Sequence, residues 1–291
     1  MDVSDERGGD YPALAVTADG TAHAVFLTRD FSPTPPPEDA PTPVAPIQYV
    51  RSTDQGETWS QPVPIEPGNQ DSERPPQLAG DPSSDALYLV WYGHTEAMND
   101  AEDFDEDLEI LFRSSQDGGV TWSERSIVND DEAGVDQYEP GISLAPNGRI
   151  DIAWYDFRNS PDGGRDDTGL SDVYYTYSED DGSTFAPNLR VNDRRIDRSI
   201  GVWSNNINSK FNVGVASDDD AAFVAWQDSR NGRSDTNAED VYFASAHLDG
   251  SADRESEVGV PGWALVAAGV ALGMGVTMVV AVAVTRGRRR S

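Results

Sequence analysis

The sequence predicts an all-β chain, a β-propeller of four-stranded blades, followed by one C-terminal transmembrane helix. Three observations carry that expectation: a polar turn octet recurring at an equal period, four short β-rich runs around each octet, and an uncharged terminal stretch closed by arginines. Internal repeats are read first, because a unit repeated along a chain builds the same supersecondary element each time.

The octet is S-x-D-x-G-x-T-aromatic. It is spelled by Ser52, Asp54, Gly56, Thr58 and Trp59, by Ser115, Asp117, Gly119, Thr121 and Trp122, and by Ser178, Asp180, Gly182, Thr184 and Phe185. The leading serines are separated by 63 and again by 63 positions. A β-rich run lies upstream of each octet, at residues 22–27, 87–92 and 150–155, and a fourth copy occupies 222–226. A second strand is predicted at 47–51, 109–113, 172–177 and 240–245. A third follows the octet, as at 123–128, and a short strand precedes each run, at 11–16, 76–79, 141–145 and 211–216. Four short strands per repeat with turns between them describe one propeller blade, so the chain holds four.

Counting strands outward from the centre, the octet falls in the hairpin between the third and the fourth. Gly56, Gly119 and Gly182 supply the positive φ of a tight turn, and Asp54, Asp117 and Asp180 can accept hydrogen bonds from turn amides. Thr and the aromatic then begin the outer strand, the aromatic covering the blade's outer edge. These residues are structural rather than catalytic. In the fourth repeat the octet is degenerate and no outer strand is expected before the terminal helix.

The chain carries 21 basic and 52 acidic side chains, a formal charge of -31, and Lys210 is its single lysine. Such a charge excludes a nucleic-acid binder that works by neutralising phosphates. Strong self-repulsion is relieved in molar salt, where the Debye length shrinks to roughly 3 Å, so the composition fits a halophilic protein. The acidic stretch from Asp100 to Glu109 reads as salt-adapted surface, with a calcium site the alternative. There is no Cys, and His23, His94 and His247 are scattered, so no disulfide, metal centre or cofactor is expected.

No charge interrupts residues 258–285, and Trp263 to Val284 alone is 22 residues, about 33 Å of helix and enough to span a bilayer. Arg286, Arg288, Arg289 and Arg290 follow, which puts the tail in the cytoplasm and the propeller outside. The predicted organisation is a propeller at 1–250, a linker at 251–260, the membrane helix or sorting signal at 261–285 and a basic tail at 286–291.

The octets resemble Asp-boxes, the repeats of bacterial neuraminidases, over nearly all of residues 10–250. The resemblance implies a sialidase-like propeller, a group with six blades that includes sialidases, other glycosidases, sorting receptors and noncatalytic surface proteins. In its sialidase-like members the Asp-boxes lie on the face opposite the active site. A sialidase further implies three arginines that clamp a carboxylate, a Tyr nucleophile paired with Glu, and an Asp acid/base. No such set can be placed here: the usual Arg-Ile-Pro segment near the start is missing, and the neighbours Tyr138 and Glu139 would diverge on an extended strand. The catalytic residues are therefore unknown. Pro261, Gly262 and Trp263 before the apolar span resemble the C-terminal sorting signals of archaeal surface proteins, which implies a haloarchaeal cell-surface protein whose helix is either retained or processed.

A second signature ends two of the β-rich runs: Trp154, Asp156, Arg158 and Asn159, then Trp226, Asp228, Arg230 and Asn231. Each Asp and Arg either form an inter-blade salt bridge or aim into the channel mouth to grip a sugar acid or hydroxyl. Arg29, with Asp30, is assigned to the corresponding place in the first repeat, whereas Gly93 and His94 break the pattern in the second. Arg29, Asp156, Arg158, Asp228 and Arg230 are the candidate ligand-binding residues. Around them run long loops, among them the Pro-rich 32–46, the acidic 95–107 and the connections 129–138 and 192–208.

Two features concern the N-terminus. Residues 1–7 contain no secretory leader, and residues 3–11 resemble 128–138, where one blade ends and the next begins. Either this stub completes the last blade of a four-bladed ring or upstream blades and a leader precede it, and the second is expected. The function that follows is a membrane-anchored extracellular propeller that binds glycans or cell-envelope proteins through its loop face without a full catalytic set. An exo-sialidase or related glycoside hydrolase is the alternative.

Overall fold

The computed structural model describes residues 9–28, 47–66, 75–94, 108–132, 134–161, 163, 169–201, 213–232, 235, 239–247 and, for the backbone alone, 256–257. Arg29, the Pro-rich and acidic loops, and the apolar span with its basic tail lie outside the described residues. By contact the chain divides into 1–258 and 259–291.

Four antiparallel meanders follow one another. The first is β1 (Gly9–Val16), β2 (Ala22–Thr28), β3 (Ile47–Ser52) and β4 (Val63–Glu66), and the second is β5 (Gln77–Gly80), β6 (Leu87–Gly93), β7 (Glu109–Ser115) and β8 (Ser126–Ile127). The third is β9 (Gln137–Leu144), β10 (Ile150–Asp156), β11 (Leu170–Ser178) and β12 (Leu189–Arg190), with β13 (Ile196–Asp197) pairing the start of β11. The fourth is β14 (Gly214–Ser217), β15 (Ala221–Asp228), β16 (Asp240–His247) and β17 (Ser256–Glu257). The inner strands β1, β5, β9 and β14 pack against one another in that order.

Packing of sheet on sheet explains the β-rich runs. On β6, Leu87, Leu89 and Trp91 face the first blade while Tyr88, Val90 and Tyr92 face the third, and all are buried. A strand covered on both faces reads as a continuous apolar run rather than an alternating one. The same parity gives three junction cores, between blades one and two, two and three, and three and four.

One strand expectation needs correction. The fourth blade has an outer strand, β17, whose Ser256 and Glu257 pair with Phe243 and Tyr242. It was hidden because two residues without an octet carry no periodic signal. The octet aromatics do more than cover an outer edge: Trp122 meets Tyr49 of the preceding blade edge-on at 5.7 Å, and Phe185 meets Phe112 likewise at 5.2 Å.

Candidate functional site

Each octet is closed by its own polar residues. Asp54 accepts from the Thr58 amide at 2.8 Å and from its hydroxyl, and Ser52 Oγ accepts from the Gly56 amide at 2.9 Å. Asp117 with Thr121, and Asp180 with Thr184, repeat this pattern. Gly56, Gly119 and Gly182 have φ of +88°, +78° and +81°, a region that costs other residues strain. Thr58 bonding lowers the Asp54 carboxyl to about 2, and Thr121 and Thr184 lower those of Asp117 and Asp180.

At the opposite ends of the second strands, the two Trp-Asp-Arg-Asn signatures fold alike. Asp156, fully buried, accepts from Trp154 Nε1 at 2.9 Å, from the Arg158 amide at 2.8 Å, and from Arg158 Nε and Nη2 at 3.0 and 2.8 Å. Asp228 does the same with Trp226 Nε1, the Arg230 amide and Arg230 Nη2. Each guanidinium stacks on the next strand's tyrosine, Arg158 on Tyr174 and Arg230 on Tyr242, both at 4.0 Å. Asn159 and Asn231 complete the unit by donating to those tyrosine hydroxyls.

The free end of each arginine reaches back toward the preceding blade. Arg158 Nη1 bonds Asp130 at 2.7 Å, and Arg230 Nη1 bonds Asp193 at 2.8 Å. Asp130 and Asp193 belong to two Val-Asn-Asp segments, at 128–130 and 191–193, that also stand 63 positions apart. Asn129 and Asn192 accept from the Ile110 and Val173 amides, so each segment is tied to its own blade. The pair is thus a salt bridge within a blade, continued to the connection from the preceding blade. Burial opposes the Arg158 cation, but Asp156 outweighs it and raises its pKa above the ordinary value.

The second blade departs as its sequence does. Gly93 stands at the place of Asp156, and Trp91 Nε1, buried, has no acceptor among the described residues. In the first blade the pairing of Leu27 with Ile47 puts Thr28 at the level of Asp156, whose neighbour Tyr155 pairs with Val173, and Arg29 lies outside the described residues.

A further polar group sits between blades three and four, and the sequence does not mark it. Arg198, 1% exposed, donates through Nε to Ser171 Oγ at 2.8 Å and lies 4.2 Å over the Tyr155 ring. Glu139 and Glu239 add their charges to its surroundings, while burial lowers the Arg198 pKa. Glu139 has φ +55° at a bulge where β9 slips against β10. Regular alternation therefore fails there, and Tyr138 packs between Tyr92 and Phe157 while Glu139 is buried close to Arg198. Burial pushes the Tyr155 phenol up, and its oxygen accepts from the Gln227 amide of the next blade at 3.0 Å. Among the described residues no cluster of His, Asp and Glu could hold a metal ion.

Blades built this way define a sialidase-like propeller fold. No protein-family model matches the chain, and no curated protein does. Solved structures do. A Hadza microbial sialidase superposes with a TM-score of 0.55 at 16% identity, over 88% of this chain and 48% of that one. The NanB sialidase of Streptococcus pneumoniae gives 0.54 at 10% identity, over 89% and 53%. The alpha-L-arabinanase of Penicillium chrysogenum, in complex with arabinobiose, gives 0.55 at 16% identity, over 89% and 69%. The chain spans about half the length of these two sialidases.

Proposed function

We propose that this chain is a sialidase-like propeller that binds glycans or protein partners through its loop face, without hydrolytic turnover, and that the apolar segment at 261–285 anchors it at the cell membrane with the propeller outside. The engagement of the candidate arginines carries this reading. Arg158 is held by Asp156, Asp130 and Asp131, and Arg230 by Asp228 and Asp193, so both guanidinium groups already face carboxylates of the chain itself. A carboxylate ligand would have to displace them.

A second reading, a glycoside hydrolase, is favoured by one grouping: Tyr155, Glu139 and Arg198 lie together at the inner end of the blades. Incubation with fluorogenic sialosides and arabinosides in molar salt, beside a glycan array, separates the two. Array binding with a flat hydrolysis trace is expected. Turnover that disappears in Tyr155→Phe refutes the binding-only reading. Protease treatment of intact cells checks the anchor: the propeller should be shaved from the outside.

A further inference from the structure

The 63-residue period allows the outer ends of two blade junctions to be compared residue by residue. Between blades one and two that end is spanned by charge. Glu66, at the end of β4, accepts from Arg113 of β7 and from Arg125 just ahead of β8, each at 3.0 Å. Between blades two and three, the residues 63 positions further on are Asn129, Thr176 and Asn188. All three are shorter and neutral. Asn129 and Thr176 turn to their own blades, bonding the Ile110 amide and the Ala186 carbonyl, and Asn188 crosses only as far as the segment 128–130.

An open cleft of about 430 Å³ lies where the charged bridge is missing, a size that small ligands occupy. One wall is β8 with the residues after it, and the other is 182–188 of the third blade. A reciprocal pair ties the walls together: the Asp130 amide donates to Asn188 Oδ1 at 2.8 Å, and the Asn188 amide donates to Asp130 Oδ2 at 2.9 Å. The cleft is therefore held in shape by the protein alone. Ile127, 48% exposed, and Phe185 give it apolar surface. Ser126 Oγ and Ser183 Oγ line it and have no hydrogen-bond partner among the described residues. The half-exposed Asp130 carboxylate adds an acceptor, and no Lys, Arg or His of the described residues is in the lining.

We infer that this cleft is a ligand site apart from the loop face, and that its ligand is a neutral sugar, the end of a glycan without carboxylate, sulfate or phosphate. Such a ring carries hydroxyls that donate to Asp130 and exchange bonds with the two serines, and C–H faces that cover Ile127 and the edge of Phe185. Charge sets the class. An acidic sugar would bring its anion beside Asp130 on a chain of formal charge -31, with no cation in the described lining to receive it. A peptide added as a strand to β8 would gain few backbone bonds, since that edge is two residues long.

The test applies the full chain, in molar salt and mild detergent, to an array of neutral and acidic glycans and titrates the bound neutral glycans by calorimetry. Ser183→Trp, which fills the cleft from an exposed turn position, should weaken their binding about tenfold or more. Ser126→Ala should weaken it about threefold to tenfold, the loss of one neutral hydrogen bond. Val120→Trp is the control. Val120 is the counterpart of Ser183 in the octet of blade two and is 64% exposed, so the same bulk there should leave both affinity and melting temperature unchanged. Neutral glycans bound equally well by Ser183→Trp and Ser126→Ala would overturn the cleft while leaving the loop face as a binding surface. Equal losses in Val120→Trp, a preference for acidic glycans that Ser183→Trp abolishes, or an array with no neutral glycan bound would overturn it as well.

Discussion

Removing the carboxylate of Asp156 tests whether the Asp–Arg signature is a clasp. In Asp156→Ala, Arg158 loses a partner on Nε and Nη2, and Trp154 Nε1 loses its acceptor inside the protein. Breaking a buried pair from one side costs about 3–5 kcal/mol. The Arg158 side chain is 16% exposed and keeps Asp130 and Asp131, which argues for the lower end, about 3 kcal/mol. For a chain of this size that is a fall in melting temperature of roughly 6–12 °C. Asp130→Ala is the control on the same guanidinium: Asp130 is 45% exposed, and an exposed partner contributes about 1 kcal/mol or less. Thermal and denaturant unfolding in molar salt, with both variants side by side, measures the difference. Equal losses in the two variants, or a loss under about 1 kcal/mol in Asp156→Ala, would refute the clasp and return Arg158 to the pool of ligand-binding candidates.

Other outcomes follow from the same structure. Trp91→Phe and Trp154→Phe remove similar volume, but only the second removes an indole bond to a carboxylate, so it should cost about 1.5–3 kcal/mol more in denaturant unfolding. Gly119→Ala and Gly182→Ala combine left-handed strain of about 1–2 kcal/mol with overlap against Tyr49 or Phe112. Gly148→Ala, at φ +89° with nothing within 4 Å, should show the strain alone in the same melts. Stability should fall with pH in two windows. Burial depresses the His23 pKa, so its contribution, present above the unfolded value of about 6.5, should be lost as pH drops through the lower folded value, and His23→Gln should remove that limb. The Asp54 carboxyl, held near 2 by Thr58, contributes above the unfolded value of about 3.9 and is lost as pH falls toward 2, a limb that Asp54→Asn should blunt in acid titration followed by fluorescence.

Local chemistry was legible in the sequence wherever it repeats. The octets spell their own turn, because Asp, Gly and Thr within a few residues supply the acceptor, the positive φ and the donor. The β-rich runs announced strands buried on both faces, since an apolar run without alternation requires cover on each side. The Trp-Asp-Arg-Asn signature was visible twice at the correct strand ends, and the gap at Gly93 already told the second blade apart. What it left undecided was the destination of the arginines, whose far ends meet Asp130 and Asp193 on connections 28 and 37 residues away.

The tertiary structure alone assembled the remainder. Arg198, Glu139, Tyr155 and Glu239 come from four separate segments, and nothing in their local spacing distinguishes them from ordinary strand and loop residues. Glu139 reaches the group only because a bulge breaks the alternation that its sequence position implies. The outer strand β17 exists through pairing with β16 rather than through any propensity of two residues. Octets and runs are properties of neighbouring residues, so the sequence by itself determined the blades. The contents of a junction between blades depend on residues far apart in the chain, and those only folding brings into contact.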